Sequence, residues 1–105
     1  MQGHLLRFYV REDECHGSRM VWEWLLEQAN QLGVRGGTAF RAMGGFGRHH
    51  TVHERHFFEL SGTLAVAVEF IVSDAEFQQL LALIQREKLR LFYAHMPATF
   101  EVTGS

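Results

Sequence analysis

Residues 63–76 read TLAVAVEFIVSDAE, and no other stretch of the chain restricts the fold as tightly. Leu64, Val66, Val68, Phe70 and Val72 alternate with Ala65, Ala67, Glu69 and Ile71, the period of two that a half-buried strand requires. Ser73 and Glu76 follow at once in the spacing of a capping box, in which each side chain satisfies a free backbone N–H of a helix start. Phe77, Leu80, Leu81 and Ile84 then recur at helical spacing, so a helix is expected over 73–89. A strand that passes straight into a helix commits the chain to a layered arrangement, with the bulky face of the strand beneath the helix.

The remainder repeats that theme. HLLRFYV, 4–10, alternates as a first strand, and REDECHG is a polar connector. The segment 18–33 is expected to be a helix with Ser18 as N-cap and Gly33 just past its end. Val21, Trp24, Leu25, Gln28 or Ala29, and Leu32 form its buried stripe, while Trp22 and Leu26, on a different side, either widen that face or touch a neighbouring subunit, the core being the reading adopted. Gly36 and Gly37 make a turn into a second strand over 38–44. After the second helix, 89–95 is a fourth strand, broken at Pro97, and 99–103 adds a short terminal one. The order β-α-β-β-α-β in 105 residues, with short connections and right-handed crossovers, predicts an α+β ferredoxin-like sandwich. It has a four-stranded antiparallel sheet with two helices on one face, and forms a single domain.

Such a sheet has a bare second face, and here that face is not polar. Ala65, Ala67 and Ile71 are expected there with Leu5, Tyr9, Ala39 and Met43, among which Glu69 pairs with Arg7 or Arg41. A solvated face should alternate cleanly to polar residues; a mostly apolar one predicts a covering partner, and self-association is the reading adopted.

Bulk properties remove several functions. The formal charge of −2 and Cys15 as the single cysteine argue against phosphate-neutralising nucleic-acid binding and exclude an internal disulfide. No apolar run is long enough for a membrane span, and the expected location is the cytoplasm. No Ser-His-Asp, Cys-His or acylphosphatase-like Arg–Asn arrangement is suggested, so no enzymatic activity is expected.

What remains is 41–60, RAMGGFGRHHTVHERHFFEL. Gly44, Gly45 and Gly47 can turn successive N–H groups toward an anion, with Arg41, Arg48 and Arg55 supplying charge, or can merely let the chain leave the strand. His49, His50, His53 and His56 are dense enough to be weighed as zinc or copper ligands, but a straight strand puts His50 and His53 on opposite faces.

The segments LLRFYV, HGSRMVWEWLL, GGTAFRAMGGFG and HTVHERHFFELSGTLAVAVEFIVSD together resemble the small PII-like proteins of domain of unknown function 190. The resemblance runs from about His4 to Val102 and implies the fold derived above. Through the PII and CutA relatives it implies a homotrimer with the sheets packed inward and adenine nucleotide in clefts between subunits. By that comparison the loop at about 45–62 corresponds to the segment through which PII proteins touch their partner proteins. Two features depart from PII. Gln85, Arg86, Glu87 and Lys88 stand where PII carries a glycine-rich basic loop, and the 45–62 loop has no tyrosine to modify. The function expected is a small signalling protein that binds an anionic metabolite through Arg41, Gly44, Gly45, Gly47 and Arg48. The alternatives are a CutA-like metal binder using the four histidines, or a structural or partner-docking oligomer with no small ligand.

Overall fold

The computed structural model describes residues 1–45 and 65–104. Strand β1 spans Gln2–Arg11, and a short hairpin follows, β2 (Cys15–His16) with β3 (Arg19–Met20). Helix α1 is Val21–Gln31, strand β4 Gly37–Arg41, strand β5 Ala65–Val72, helix α2 Asp74–Arg86 and strand β6 Phe92–Thr99. The four long strands form one antiparallel sheet in the order β4-β5-β1-β6. With α1 over β4 and β5, and α2 over β1 and β5, this is the expected ferredoxin-like α+β sandwich.

The core lies between helices and sheet. Leu6, Phe8 and Val10 from β1 and Val66, Val68, Phe70 and Val72 from β5 meet Val21, Trp24, Leu25 and Ala29 of α1 and Phe77, Leu80 and Ile84 of α2. Trp22 and Leu26 pack against its margin, as the widened stripe predicts. Helix α2 starts as its sequence requires: Ser73 Oγ accepts from the Glu76 N–H at 3.1 Å while Glu76 Oε1 accepts from the Ser73 N–H at 2.8 Å. Helix α1 ends in a Schellman motif. Gly33, at φ 86°, donates to the Asn30 carbonyl, and Val34 donates to that of Ala29. Helix α2 ends in the same pattern, but with Lys88 in the left-handed conformation, φ 61°, where glycine is usual.

Three expectations are corrected. Helix α1 begins at Val21 rather than after Ser18: Gly17, at φ 64°, and Ser18 turn the β2–β3 hairpin, and Met20 is an N-cap without a side-chain bond. The first helical N–H, that of Val21, is met instead by the Glu14 carbonyl at 2.8 Å. His16 fixes the hairpin to both helices, with Nε2 2.9 Å from Glu87 Oε1 and its ring edge-on to Trp24.

The last strand is not broken at Pro97. It runs through to Thr99 with Pro97 opposite His4, because β6 is an edge strand and can lack a donor; residues 100–103 form no further strand.

The third correction is one of phase. In β4, Phe40 and Thr38 face away from the helices, opposite Ala67 and Glu69, while Ala39 and Arg41 lie on the helix side opposite Val68 and Val66. Ala39 therefore packs against the core instead of joining the open face, and Met43 lies beyond the strand, fully exposed. A one-residue shift of phase sends every side chain of a strand to the other face.

Candidate functional site

Two places carry the sequence-level expectations: the open face of the sheet, and the end of β4 where the glycine–arginine segment begins.

On the open face, cross-strand pairing arranges side chains in three rows. Phe40, Ala67, Tyr9 and Phe92 form the first; Thr38, Glu69, Arg7 and Ala94 the second; Ile71, Leu5 and Met96 the third. The outer rows are apolar apart from the Tyr9 hydroxyl, and Tyr9 and Phe92 bring their rings to 5.8 Å between centroids. Of these rows only the middle one carries charge, and that charge is paired within the sheet; a further charge on this face, Arg11 opposite Ala65 at the end of β1, pairs with Asp13 at 3.4 Å. Arg7 donates from Nε to Glu69 Oε2 at 2.8 Å and again from Nη2, while Nη1 reaches the Tyr9 hydroxyl at 3.4 Å. The bond to Tyr9, and then those to Glu69 with its negative charge, push the Arg7 guanidinium pKa above its ordinary value. Of the two partners expected for Glu69 the structure selects Arg7. Sequence reasoning missed Phe40, Phe92 and Met96, which the β4 and β6 registers bring to this face.

At the end of β4 the Ala42 N–H still donates to the Ala65 carbonyl at 2.8 Å, so the connection to β5 departs just beyond that pair. Arg41 turns back toward the β1–β2 turn and places Nη2 2.6 Å from Glu12 Oε2. Its charge is thus met by a carboxylate, although the side chain remains largely in water. Gly44 and Gly45 follow, with open space where a Cβ would project from either. Gly47 and Arg48, and the candidate metal ligands His49, His50, His53 and His56, lie outside the described residues, as does most of the 45–62 loop. Among the described residues no group of three or more His, Cys, Asp or Glu is placed to hold a metal ion. Cys15 is exposed, as its polar neighbours suggest. No described helix is long and apolar enough to cross a membrane.

Residues 3–90 match the DUF190 family, described as "Uncharacterized ACR, COG1993". This chain belongs to that family. A "UPF0166 protein" of Aquifex aeolicus (strain VF5) is 34% identical over 77 residues, 73% of each chain. Among solved structures, a "putative PII-like signaling protein" from Thermus thermophilus superimposes with a TM-score of 0.55 over 92% of this chain and 89% of that one, at 18% identity. That likeness establishes a shared PII-like fold for this DUF190 member, in keeping with the strand order and helix placement above.

Proposed function

We propose that this DUF190 protein is a PII-like regulatory module that acts as a homotrimer with its open sheet faces packed inward, and that it catalyses no reaction of its own. In this reading a small anionic metabolite, an adenine nucleotide, binds between subunits near Gly44–Gly47 with Arg41 or Arg48 toward its phosphates. Binding changes how the 45–62 loop meets a partner protein in the cytoplasm. The observation that carries the reading is the open face: two apolar rows flanking one ion pair whose hydrogen bonds are made within the sheet. A surface so composed is suited to burial against copies of itself. The family match and the PII-like fold support the same reading.

The Arg41–Glu12 pair gives the ligand step a specific signature. Phosphate oxygens and the Glu12 carboxylate compete for one guanidinium, so Glu12→Gln should tighten nucleotide binding and Arg41→Ala should weaken it, each by about tenfold. The ligand must also bind one loop arrangement better than another, or it transmits nothing. Calorimetric titration with ATP, ADP, AMP and cyclic AMP, alongside sedimentation, tests both halves. The expected results are a particle three times the 12.1 kDa chain and saturable binding of at least one nucleotide. A monomer, or no heat with any of the four at millimolar concentration, would reject the reading.

A further inference from the structure

At the opposite end of β4 from Arg41, the turn Arg35-Gly36-Gly37 divides a cleft with two arms. One arm, about 350 Å³, lies between α1 and Phe70; the other, about 410 Å³, runs past Thr38, Phe70 and Ile71 to the chain at 100–102. Both volumes fall in the range of small-molecule sites. Local packing holds the cleft in shape. A Cβ on Gly37 would stand 2.5 Å from the Phe70 ring, so glycine here lets the backbone lie directly against that ring. Phe100 is tied back to the start of β1, its N–H donating to the Met1 carbonyl at 3.0 Å, and this places the 100–102 wall opposite the turn.

Two charges of the larger arm, Arg35 and Glu101, are unmatched among the described residues. The Arg35 guanidinium lies 5.8 Å from the centre of the Phe100 ring, and its Nη2 is 3.3 Å from Met1 Sδ. A ring face and a thioether position a guanidinium, but neither neutralises it, and the thioether is a weak acceptor. Glu101 lines the same arm. Among the described residues it pairs neither with Arg35 nor with any other cation, and the remaining carboxylate there, Glu69, is engaged by Arg7. Among the described residues, one hollow therefore presents an unneutralised cation and an unneutralised anion that do not bridge each other, beside Ile71; Phe70, which also lines it, faces the helices and is only 1% exposed. A solute with a single charge would leave one of them unanswered. A zwitterion answers both.

We propose that this cleft binds a free α-amino acid with an apolar side chain, its carboxylate on Arg35, its ammonium on Glu101 and its side chain against Ile71. A planar guanidinium takes a carboxylate through two parallel N–H donors, which suits Arg35 to that end of the ligand. The site uses none of Arg41, Gly44, Gly45, Gly47 or Arg48, but Thr38, Glu69 and Ile71 in its lining belong to the open face, so it requires this margin of the face to stay accessible between the packed subunits of the proposed trimer.

Calorimetry on the intact chain tests it with three probes: L-phenylalanine, 3-phenylpropionate, which lacks the amine, and phenethylamine, which lacks the carboxylate. L-phenylalanine is expected to bind at millimolar concentration or below, with each analogue weaker by at least about tenfold. Arg35→Gln should abolish binding and Glu101→Gln should weaken it about tenfold. Both side chains are exposed, and an unchanged melting temperature in each variant would show the fold intact. No heat with L-phenylalanine, equal binding of 3-phenylpropionate, or binding unaffected by both substitutions would each overturn the proposal. Nucleotide titrations of the same variants keep the two sites apart, since Arg35→Gln should leave nucleotide binding unchanged.

Discussion

On the helix side of the sheet, Leu6, Phe8, Val10, Val66, Val68, Phe70 and Val72 are at most 5% exposed. On the other side, Tyr9 of β1, Phe40 of β4, and Met96 and Phe92 of β6 stand 40%, 51%, 57% and 65% exposed. The two faces differ less in apolar content than in what lies over them. The helix side places its large side chains beneath α1 and α2. The open side carries its aromatic residues in one row, Phe40, Tyr9 and Phe92, with the Arg7–Glu69 pair in the row beside it and Arg11 at the end of β1. That pair also differs from an ordinary surface ion pair, because Arg7 uses Nε and Nη2 on one Glu69 oxygen and Nη1 on Tyr9. A charge that is to be covered must bring its partners with it, or burial costs several kcal/mol. The open face meets that condition without any neighbour, as the proposed association requires.

The largest effect expected from this contrast is on the covered side. Phe8→Ala removes a fully buried ring and should cost about 3–5 kcal/mol in denaturant unfolding, whatever the protein concentration. Next comes the open side, where the penalty should appear in assembly and not in the fold. Phe40→Asp puts a carboxylate into an apolar row and should weaken each subunit contact by about 2–4 kcal/mol, leaving a folded monomer by sedimentation with unchanged far-UV circular dichroism. A variant that keeps its oligomeric mass would show that this face is not the interface.

Glu69→Ala sharpens the comparison further. Once Glu69 is gone, Arg7 keeps only the Tyr9 hydroxyl among its described partners. In the assembled protein, loss of the carboxylate should cost about 1–3 kcal/mol, since a covered guanidinium is left short of acceptors. In the monomeric Phe40→Asp background, where water reaches Arg7, the same change should cost under about 1 kcal/mol. Equal costs in the two backgrounds would mean that the ion pair is wet in both.

How much of this was legible in the residues depends on whether a local signal was unopposed. Strand β5 and the start of α2 read directly, since the alternation of 65–72 and the Ser73–Glu76 box point the same way. Ser18 shows a conflict. A serine ahead of a helical stripe reads as an N-cap, yet Gly17-Ser18 is also a two-residue hairpin turn, and the hairpin prevailed because the Glu14 carbonyl meets the Val21 N–H. Phase in β4 was not legible, for Thr38, Ala39, Phe40 and Arg41 carry no clean alternation, and only pairing with β5 assigns Phe40 outward. Pro97 marks a strand end unless the strand is known to lie at an edge, a property of the whole sheet rather than of its neighbours. The Arg35 cleft escaped for a related reason. Its walls come from 35–38, 69–71 and 100–102, and their meeting depends on the strand order and on the tie between Phe100 and Met1.

The smallest effect is the most discriminating. Phe92 is the most exposed of the large open-face residues on the strands, and its ring touches the sheet chiefly through Tyr9. In the monomeric Phe40→Asp background, Phe92→Ala should therefore change unfolding stability by no more than about 0.5 kcal/mol, the ordinary range for a surface substitution. In the otherwise unaltered protein the same truncation removes a ring from a covered apolar row, and the loss should grow with protein concentration, because only the assembled state contains that contact. Melting temperatures measured across a hundredfold range of concentration separate the two cases. The parent should melt higher as it is concentrated, and Phe92→Ala should flatten that dependence without lowering the dilute limit. A melting temperature independent of concentration in the parent, with Phe92→Ala neutral throughout, would place the open face in water and remove the physical basis for the trimer.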